Sequence, residues 1–537
     1  MGAWPASAAV PTLVGILALA AFLRLHGLAE APAWYGDEFV HLELARNLLD
    51  GEARVGAFRV DWFGTIAHPP LFFVLGALSV GVLGDSILAL RAVAALAGVA
   101  GVALLYVAGS MLRGRCAGLL AGAAYAVMPL AVVLDRRAYA YPLVFPLALG
   151  VAVGMMHFCR FRRRRSLYAA ALAMSCLLVT GHYAAPLLGV FAAYTLVYDR
   201  AGAPRLLAVA VSLPLLAAGV FTLPRWEPAL FSLGFELERA ASQTAGFWSM
   251  LTHGAQLTGR DALLGVAVVG VLSLRGAGVA WLTAVFLSVS AFLLYRRPDI
   301  ASILYPTSAF LGFFAMPFAC LFVALRDAGL RAAGRVGEDA RGFARAGVLA
   351  ATLGIPAALL GLKLAEVAPA VWSGRLGTPV DRWAERVDEV RATRAFLAAR
   401  VRPGELVAGS YTLTHGAPGR HTDLMQAYVY ETGRGTTFYP AYLPGLPGYR
   451  EQVFAFDCSL AEVDYLVISR VDWEWTLRRS FARALLETDA RRLRDEWRRG
   501  RGVALTLRGE AWPVRHAAGE VLVLENPARA SRTTEAS

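Results

Sequence analysis

The chain has 537 residues, 57% of them hydrophobic and 17% charged, with a formal net charge of +12. A soluble domain averages about 25% charged and roughly 45–50% apolar residues, so this composition excludes a mostly soluble enzyme, a disordered chain and a fibrous repeat. Arginine carries the positive balance, Lys363 being the only lysine. Apolar runs long enough to cross about 30 Å of hydrocarbon recur along the first 370 residues. They run Pro5–Leu25, Ser86–Leu112, Cys116–Leu134, Pro142–Cys159, Ser166–Tyr183, Ala184–Tyr198, Leu206–Pro224, Ala262–Leu274, Val279–Tyr295, Ser302–Leu325 and Gly347–Lys363.

His68-Pro69-Pro70 opens a further apolar stretch that ends at Gly84. If that stretch crossed, Arg160 and Arg162–Arg165 would fall outside the membrane. If it lies in the interface, they fall in the cytoplasm with Arg113, Arg115, Arg200, Arg205, Arg275 and the cluster from Arg326 to Arg345. The positive-inside rule selects the second arrangement, against the vote of Arg24. The expected protein is mostly α and polytopic, with about eleven transmembrane helices plus interfacial helices. Its amino terminus is then on the cytoplasmic side of a bacterial inner (plasma) membrane. The excess arginines become loop anchors, which excludes nucleic acid as a partner and leaves membrane lipids as one.

Beyond about Val371 the texture is that of a soluble domain. Asp381–Arg400 reads as an amphipathic helix, and Glu405–Ala408, Asp464–Ser469, Val503–Leu507 and Glu520–Leu524 as short strands. The expected division is a transmembrane catalytic domain over 1–372, with its first outer loop at 29–85. An α/β domain on the outer face follows over 373–527, then a disordered tail at 528–537. Five cysteines show no CxxC or metal-ligand spacing.

Candidate chemistry gathers on the outer side. The first outer loop carries Trp34-Tyr35-Gly36-Asp37-Glu38 ahead of a helical pattern. A carboxylate there can deprotonate a hydroxyl or hold a cation; the alternative is a helix start, where Asp complements the macrodipole. His68 precedes two prolines suited to opening an interfacial helix, and it either caps that helix or faces a ligand. Arg91, a turn into the next span, snorkels to headgroups or faces a phosphate. Asp135-Arg136-Arg137 leads to Tyr139 and Tyr141 in a second outer turn, and Arg296-Arg297 stands in a later one. Both pairs run against the positive-inside rule, and guanidinium forks recognise phosphate bidentately. His182 ends a span on the same side, as a packed or supporting residue.

The order of DE in the first outer loop, HPP opening an interfacial helix, an arginine–tyrosine turn after the third span and a late RRPD…LYP resembles the GT-C membrane glycosyltransferases. The branch concerned contains the protein O-mannosyltransferases, the lipid A aminoarabinose transferase and rhizobial galacturonosyltransferases. The resemblance covers roughly residues 5–370. It implies an inverting transfer of a sugar from a polyprenyl-phosphate-linked donor to a lipid, glycan or protein acceptor on the periplasmic face. Asp37 then falls on the catalytic base and Glu38 on the neighbour that orients it. His68, Arg91, Arg136, Arg137, Tyr141, Arg296 and Arg297 fall around the donor, with Asp135 and His182 behind them. Some members carry an Asp where this chain has Tyr141, and Asp135 lies earlier in the turn. A divalent metal is therefore left open, and no other cofactor is implied. The rival class is a transporter or flippase of a lipid-linked sugar, which would place ionisable groups near the midplane and show repeated halves.

Overall fold

The computed structural model describes residues 6–51, 70–181, 185–223, 300–377 and 384–424. Of the remainder it describes scattered positions over 427–433, then 455, 458–472, 499, 504–507 and 509–529. Helix α1 (Ala6–Leu25) is followed by a short strand β1 (Trp34–Tyr35) and then α2 (Gly36–Leu49). The apolar stretch after the two prolines forms α3 (Leu71–Leu83), closed by Gly84 at φ 84°. Its 13 residues rise only about 20 Å, too little to cross a bilayer.

The bundle continues with α4 (Ile87–Arg113), α5 (Arg115–Val127), α6 (Pro129–Leu134), α7 (Tyr141–Phe161), α8 (Arg164–Leu178), α9 (Ala185–Tyr198) and α10 (Ala203–Ala217). Two long helices, α11 (Ile300–Ala333) and α12 (Glu338–Trp372), complete it. Among the described residues, six helices are long and apolar enough to cross a membrane: those at Ser7–Leu25, Ile87–Arg113, Tyr141–Phe161, Ala203–Thr222, Leu311–Ala333 and Glu338–Trp372. The run expected as one span over Cys116–Leu134 is broken at Met128. Pro129 cannot donate to the preceding turn, so it starts a new helix instead. The expected spans Ala262–Leu274 and Val279–Tyr295 lie outside the described residues.

Helix α7 is the most enclosed of the long helices, and α12 is almost wholly uncovered by protein. Apolar residues covering α12 and α10 are what a lipid-facing helix requires. Helices α4 and α5 meet through glycine: a Cβ on Gly109 would lie 2.8 Å from the Cα of Gly118. Small residues at that crossing bring the two backbones together.

The rest of the chain forms β2 (Ala384–Glu385), α13 (Val387–Arg400), β3 (Leu406–Ala408), α14 (Tyr411–Thr414), β4 (Arg420–Thr422), β5 (Tyr465–Ile468), β6 (Ala504–Leu507), β7 (Glu510–Ala518) and β8 (Val521–Glu525). Six of these strands make one mixed sheet in the order β4-β3-β5-β8-β7-β6. β3 runs parallel to β4 and β5, and the remaining pairs are antiparallel. The four expected strands are present, but β4 and β7 are additional. The expected helix over Asp381–Arg400 begins only at Val387, because Ala384–Glu385 leaves to pair with β1. Arg529, assigned by composition to a disordered tail, is ion-paired to Glu405 at 2.8 Å.

Side-chain alternation decides where the sheet's two faces go. Leu406, Ala408, Leu466, Ile468, Leu522 and Leu524 build a core on one face. Val407, Tyr465, Val467, Val521 and Val523 point the other way, into an apolar cluster that also holds Trp34, Phe39, Leu42, Phe72 and Leu90. The period of two therefore joins the sheet to the membrane-proximal helices α2, α3 and α4 through one continuous core.

Candidate functional site

The segment between α1 and α2 is irregular, and its carbonyl groups have few backbone partners of their own. Three arginines supply the donors. Arg136 gives Nε and Nη2 to Ala31 O (3.1 and 2.9 Å), Nη1 to Leu23 O (2.9 Å) and Nη2 to Gly27 O (3.0 Å). Arg91 gives Nη1 to Leu28 O and Pro32 O, each at 3.0 Å. Arg137 gives Nη1 to Ala33 O at 3.0 Å. A guanidinium carries five donors in one plane, so it can satisfy several buried carbonyls that no strand or helix reaches.

The rest of Arg91 is committed to Glu38. Its Nε lies 2.8 Å from one carboxylate oxygen and its Nη2 2.6 Å from the other, with both side chains fully buried. Glu38 also accepts the Ala138 N–H at 2.8 Å and faces Arg137 at 3.9 Å. Burial pushes the Glu38 carboxyl up, but the charge and hydrogen bonds of Arg91, with Arg137 and Ala138, hold it below the usual carboxylate range. Glu38 is therefore a charged anchor. Arg136, buried beside the like charges of Arg91 and Arg24, is lowered to about 10 and stays protonated at neutral pH.

A second buried pair lies behind the first. Arg24 Nε is 2.9 Å from Asp135 Oδ2, its Nη atoms reach the carbonyls of Ala126 and Tyr125 at 3.1 Å, and Tyr125 Oη donates to Asp135 at 3.0 Å. Gly98 on α4 makes room for it: any Cβ there would collide with Asp135 and Arg24.

Two residues of α2 hold the arginine–tyrosine turn. Glu38 takes the N–H of Ala138, and His41 Nδ1 lies 2.6 Å from the carbonyl of the same residue. Since a carbonyl only accepts, His41 carries its proton on Nδ1. Beyond Ala138 the rings of Tyr139 and Tyr141 stack at 5.9 Å, and Tyr139 meets His41 edge-on at 5.1 Å. Tyr141 opens α7.

Asp37 is the second residue of α2, four positions before His41; its side chain lies outside what is described. His68, His182, Arg296 and Arg297 lie outside the described residues. The structure thus brings Asp37 (by its backbone), Glu38, Arg91, Asp135, Arg136, Arg137 and Tyr141 to one end of the bundle. Arg91 and Arg136 are buried against protein acceptors rather than turned to a ligand, Glu38 points into the protein, and Asp135 is held by Arg24. Glu38 and Asp135 do not fit a divalent cation, because each is buried against an arginine. Among the described residues, no three His, Cys, Asp or Glu side chains converge.

No protein-family model matches the chain, and no curated protein does. Among solved structures, it is similar to ArnT from Cupriavidus metallidurans bound to undecaprenyl phosphate, with a TM-score of 0.58 at 15% identity over 98% of this chain and 99% of that one. The apo state of the same protein gives 0.56 at 14% identity over 98% and 99%. The archaeal oligosaccharyltransferase AglB from Archaeoglobus fulgidus, in complex with an inhibitory peptide and a dolichol-phosphate, gives 0.53 at 13% identity over 87% of this chain and 70% of that one. The chain has the GT-C fold of membrane glycosyltransferases.

Within the GT-C fold, several residues of this end escaped the sequence reading. Arg24 was visible only as a charge at the end of the first span; it is fully buried and paired with Asp135. His41 had one signal, its spacing of four from Asp37 on a helix. Arg394 and Tyr411, which reach α2 from the carboxy-terminal part, carried none.

Proposed function

We propose that this chain is an inverting glycosyltransferase. It moves a sugar from a polyprenyl-phosphate donor to a lipid, glycan or protein acceptor on the periplasmic face of the bacterial inner membrane. Residues 1–372 form the catalytic membrane domain and 373–527 a domain on the outer face. The observation that carries this reading is the anchoring of the first turn of α2, where Glu38 is locked by Arg91 and Ala138 next to Asp37. The GT-C fold, shared with a structure that holds undecaprenyl phosphate, supports the donor class.

In this reading Asp37 takes the proton of the acceptor hydroxyl as its oxygen attacks the anomeric carbon. The bond to the donor phosphate breaks on the opposite face, and the lipid phosphate leaves as the anion. Arg296 and Arg297, with His68, supply positive charge where that anion develops. Arg91, Arg136 and Arg137 hold the segment that leads into the helix carrying Asp37, and Tyr141 borders the donor. A transporter has less in its favour, since the buried charges sit at one end of the helices and are spent on protein groups.

The deciding experiment is incubation of the purified protein with a panel of polyprenyl-phosphate sugars and a membrane-glycolipid extract, with products identified by mass spectrometry. A mass increment of one sugar with release of polyprenyl phosphate is expected. Movement of intact lipid-linked sugar across vesicles without transfer would replace this reading with the transporter.

A further inference from the structure

Helix α2 is held from a second direction, by the carboxy-terminal part of the chain. β1 pairs antiparallel with β2, Trp34 opposite Glu385 and Tyr35 opposite Ala384, directly before Asp37. From α13, Arg394 lays its guanidinium over the ring of Phe39 at 4.1 Å and of Trp34 at 5.1 Å. The same guanidinium donates through Nε to Thr412 O at 2.9 Å, which fixes it to α14. Trp34 and Phe39 bracket Asp37 in sequence, and their rings lie 5.2 Å apart. One turn further along α2, Tyr411 Oη donates to Glu43 Oε1 at 2.8 Å, and the His415 ring meets Phe39 at 5.2 Å.

These contacts do something burial alone does not. Apolar packing tolerates rotation of a helix by several degrees, because the contact is not directional. A guanidinium over two ring faces, itself tied to a carbonyl, has one geometry. The Glu38–Ala138 contact pins α2 to the bundle, and Arg394 pins the same turn to the outer domain. Together they hold the helix from two sides. A base must be held to within about 0.5 Å of its working position for full effect.

We propose that Arg394 is a positioning residue for Asp37. Through it, the outer domain fixes the register and rotation of the backbone over residues 34–39, the stretch that carries Asp37. The proposal rests on the reading of Asp37 as the base; the grip itself is measured without activity.

The test uses the full-length protein in nanodiscs, as wild type, Arg394→Gln and Arg394→Lys. Three quantities are read: amide exchange of peptides spanning 34–42, binding of undecaprenyl phosphate, and kcat and KM with whichever donor the panel identifies. Arg394→Gln is expected to exchange about tenfold faster over 34–42 while peptides from α4 and β5 keep their protection. Its kcat should fall about tenfold or more, with KM and undecaprenyl phosphate binding within about twofold, because a misaimed group loses rate rather than affinity. Arg394→Lys, which keeps a cation near the rings but loses the planar fork, should recover only part of both losses. Unchanged exchange over 34–42, faster exchange throughout the chain, or an unchanged kcat would each overturn the proposal. If Arg394→Gln fails to fold, Tyr411→Phe removes a single hydroxyl from the same grip and should raise exchange over 34–42 about threefold; no change there would also overturn it. If wild type transfers no sugar from any donor, the base assignment falls, while the exchange result still decides whether Arg394 holds α2.

Discussion

The same helices carry arginines at both ends, and the two ends treat them in opposite ways. At one end Arg24, Arg91, Arg136 and Arg137 are buried and bound to backbone carbonyls and to two carboxylates. At the other, Arg160 and Arg162–Arg165 are exposed, and Arg164 reaches from solvent to Asp199 at 3.0 Å. Water or headgroups satisfy an exposed guanidinium at little cost. A buried one persists only where protein groups replace every lost contact. The first end has such groups because the chain between α1 and α2 is irregular and its carbonyls need donors. The contrast teaches that a charge on the supposedly wrong side of a membrane protein can be structural mortar for a loop, and here the loop leads into the DE pair.

The largest effect that sharpens this contrast is expected at Arg91. Arg91→Met removes the guanidinium that faces Glu38 inside the protein, which should cost about 3–5 kcal/mol in thermal unfolding of the detergent-solubilised protein. The double variant with Glu38→Met should recover part of that loss, since Glu38 no longer stands as a buried carboxylate without Arg91, while Arg137 loses the carboxylate it faces. A single variant as stable as wild type would mean the pair contributes nothing. Next is Gly98→Ala, whose methyl would press on the Arg24–Asp135 pair; about 1–3 kcal/mol is expected from the same measurement. Equal stability would show that the pair can shift without penalty.

The third effect is set by pH. Glu385, on the strand that clamps β1, is pushed up to about 8 by burial, with Asp472 and Glu389 adding to the rise, while Ser469 and Arg470 oppose it. The folded state keeps a proton that the unfolded chain releases near 4.5. Its stabilising contribution is therefore complete below that value and is lost as pH rises through about 8. Asp472, raised to about 6 by burial, acts in the same direction. His415, lowered to about 2 chiefly by burial, acts oppositely: its neutral form supports folding above about pH 6.5 and the support fades on acidification. Melting curves of Glu385→Gln and wild type should converge near pH 5, with the variant more stable by pH 8.5. Parallel curves would contradict the assignment. The smallest effect is at the exposed end, where Arg163→Ala should leave the melting temperature unchanged.

How far the sequence carries depends on the range of the interaction. Helices α4 and α7 sit within two residues of the apolar runs that announce them, because a span is written in consecutive residues. The thirteen-residue α3 agrees with a stretch that does not cross, and the strands β3, β5, β6 and β8 follow the period of two. The break at Met128 was written in Pro129 but hidden inside a continuous apolar run. The site was legible only as a set of residue types: DE and the two arginines stood out. What they touch did not, since the Arg24–Asp135 and Arg91–Glu38 pairs join residues far apart in the chain through side-chain geometry alone. The pairing of β1 with β2 and the reach of Arg394 onto Phe39 depend on the whole fold being in place.

The central claim, that Asp37 is the base of a sugar transfer, is tested most directly by Asp37→Asn. The amide keeps the shape of the side chain but cannot take the proton of the acceptor hydroxyl. Transfer from the polyprenyl-phosphate donor identified by the panel should fall about 10²–10⁴-fold, while undecaprenyl phosphate binds as it does to wild type. Transfer at the wild-type rate would contradict the account and leave Asp37 as a helix-start residue on a well-anchored loop.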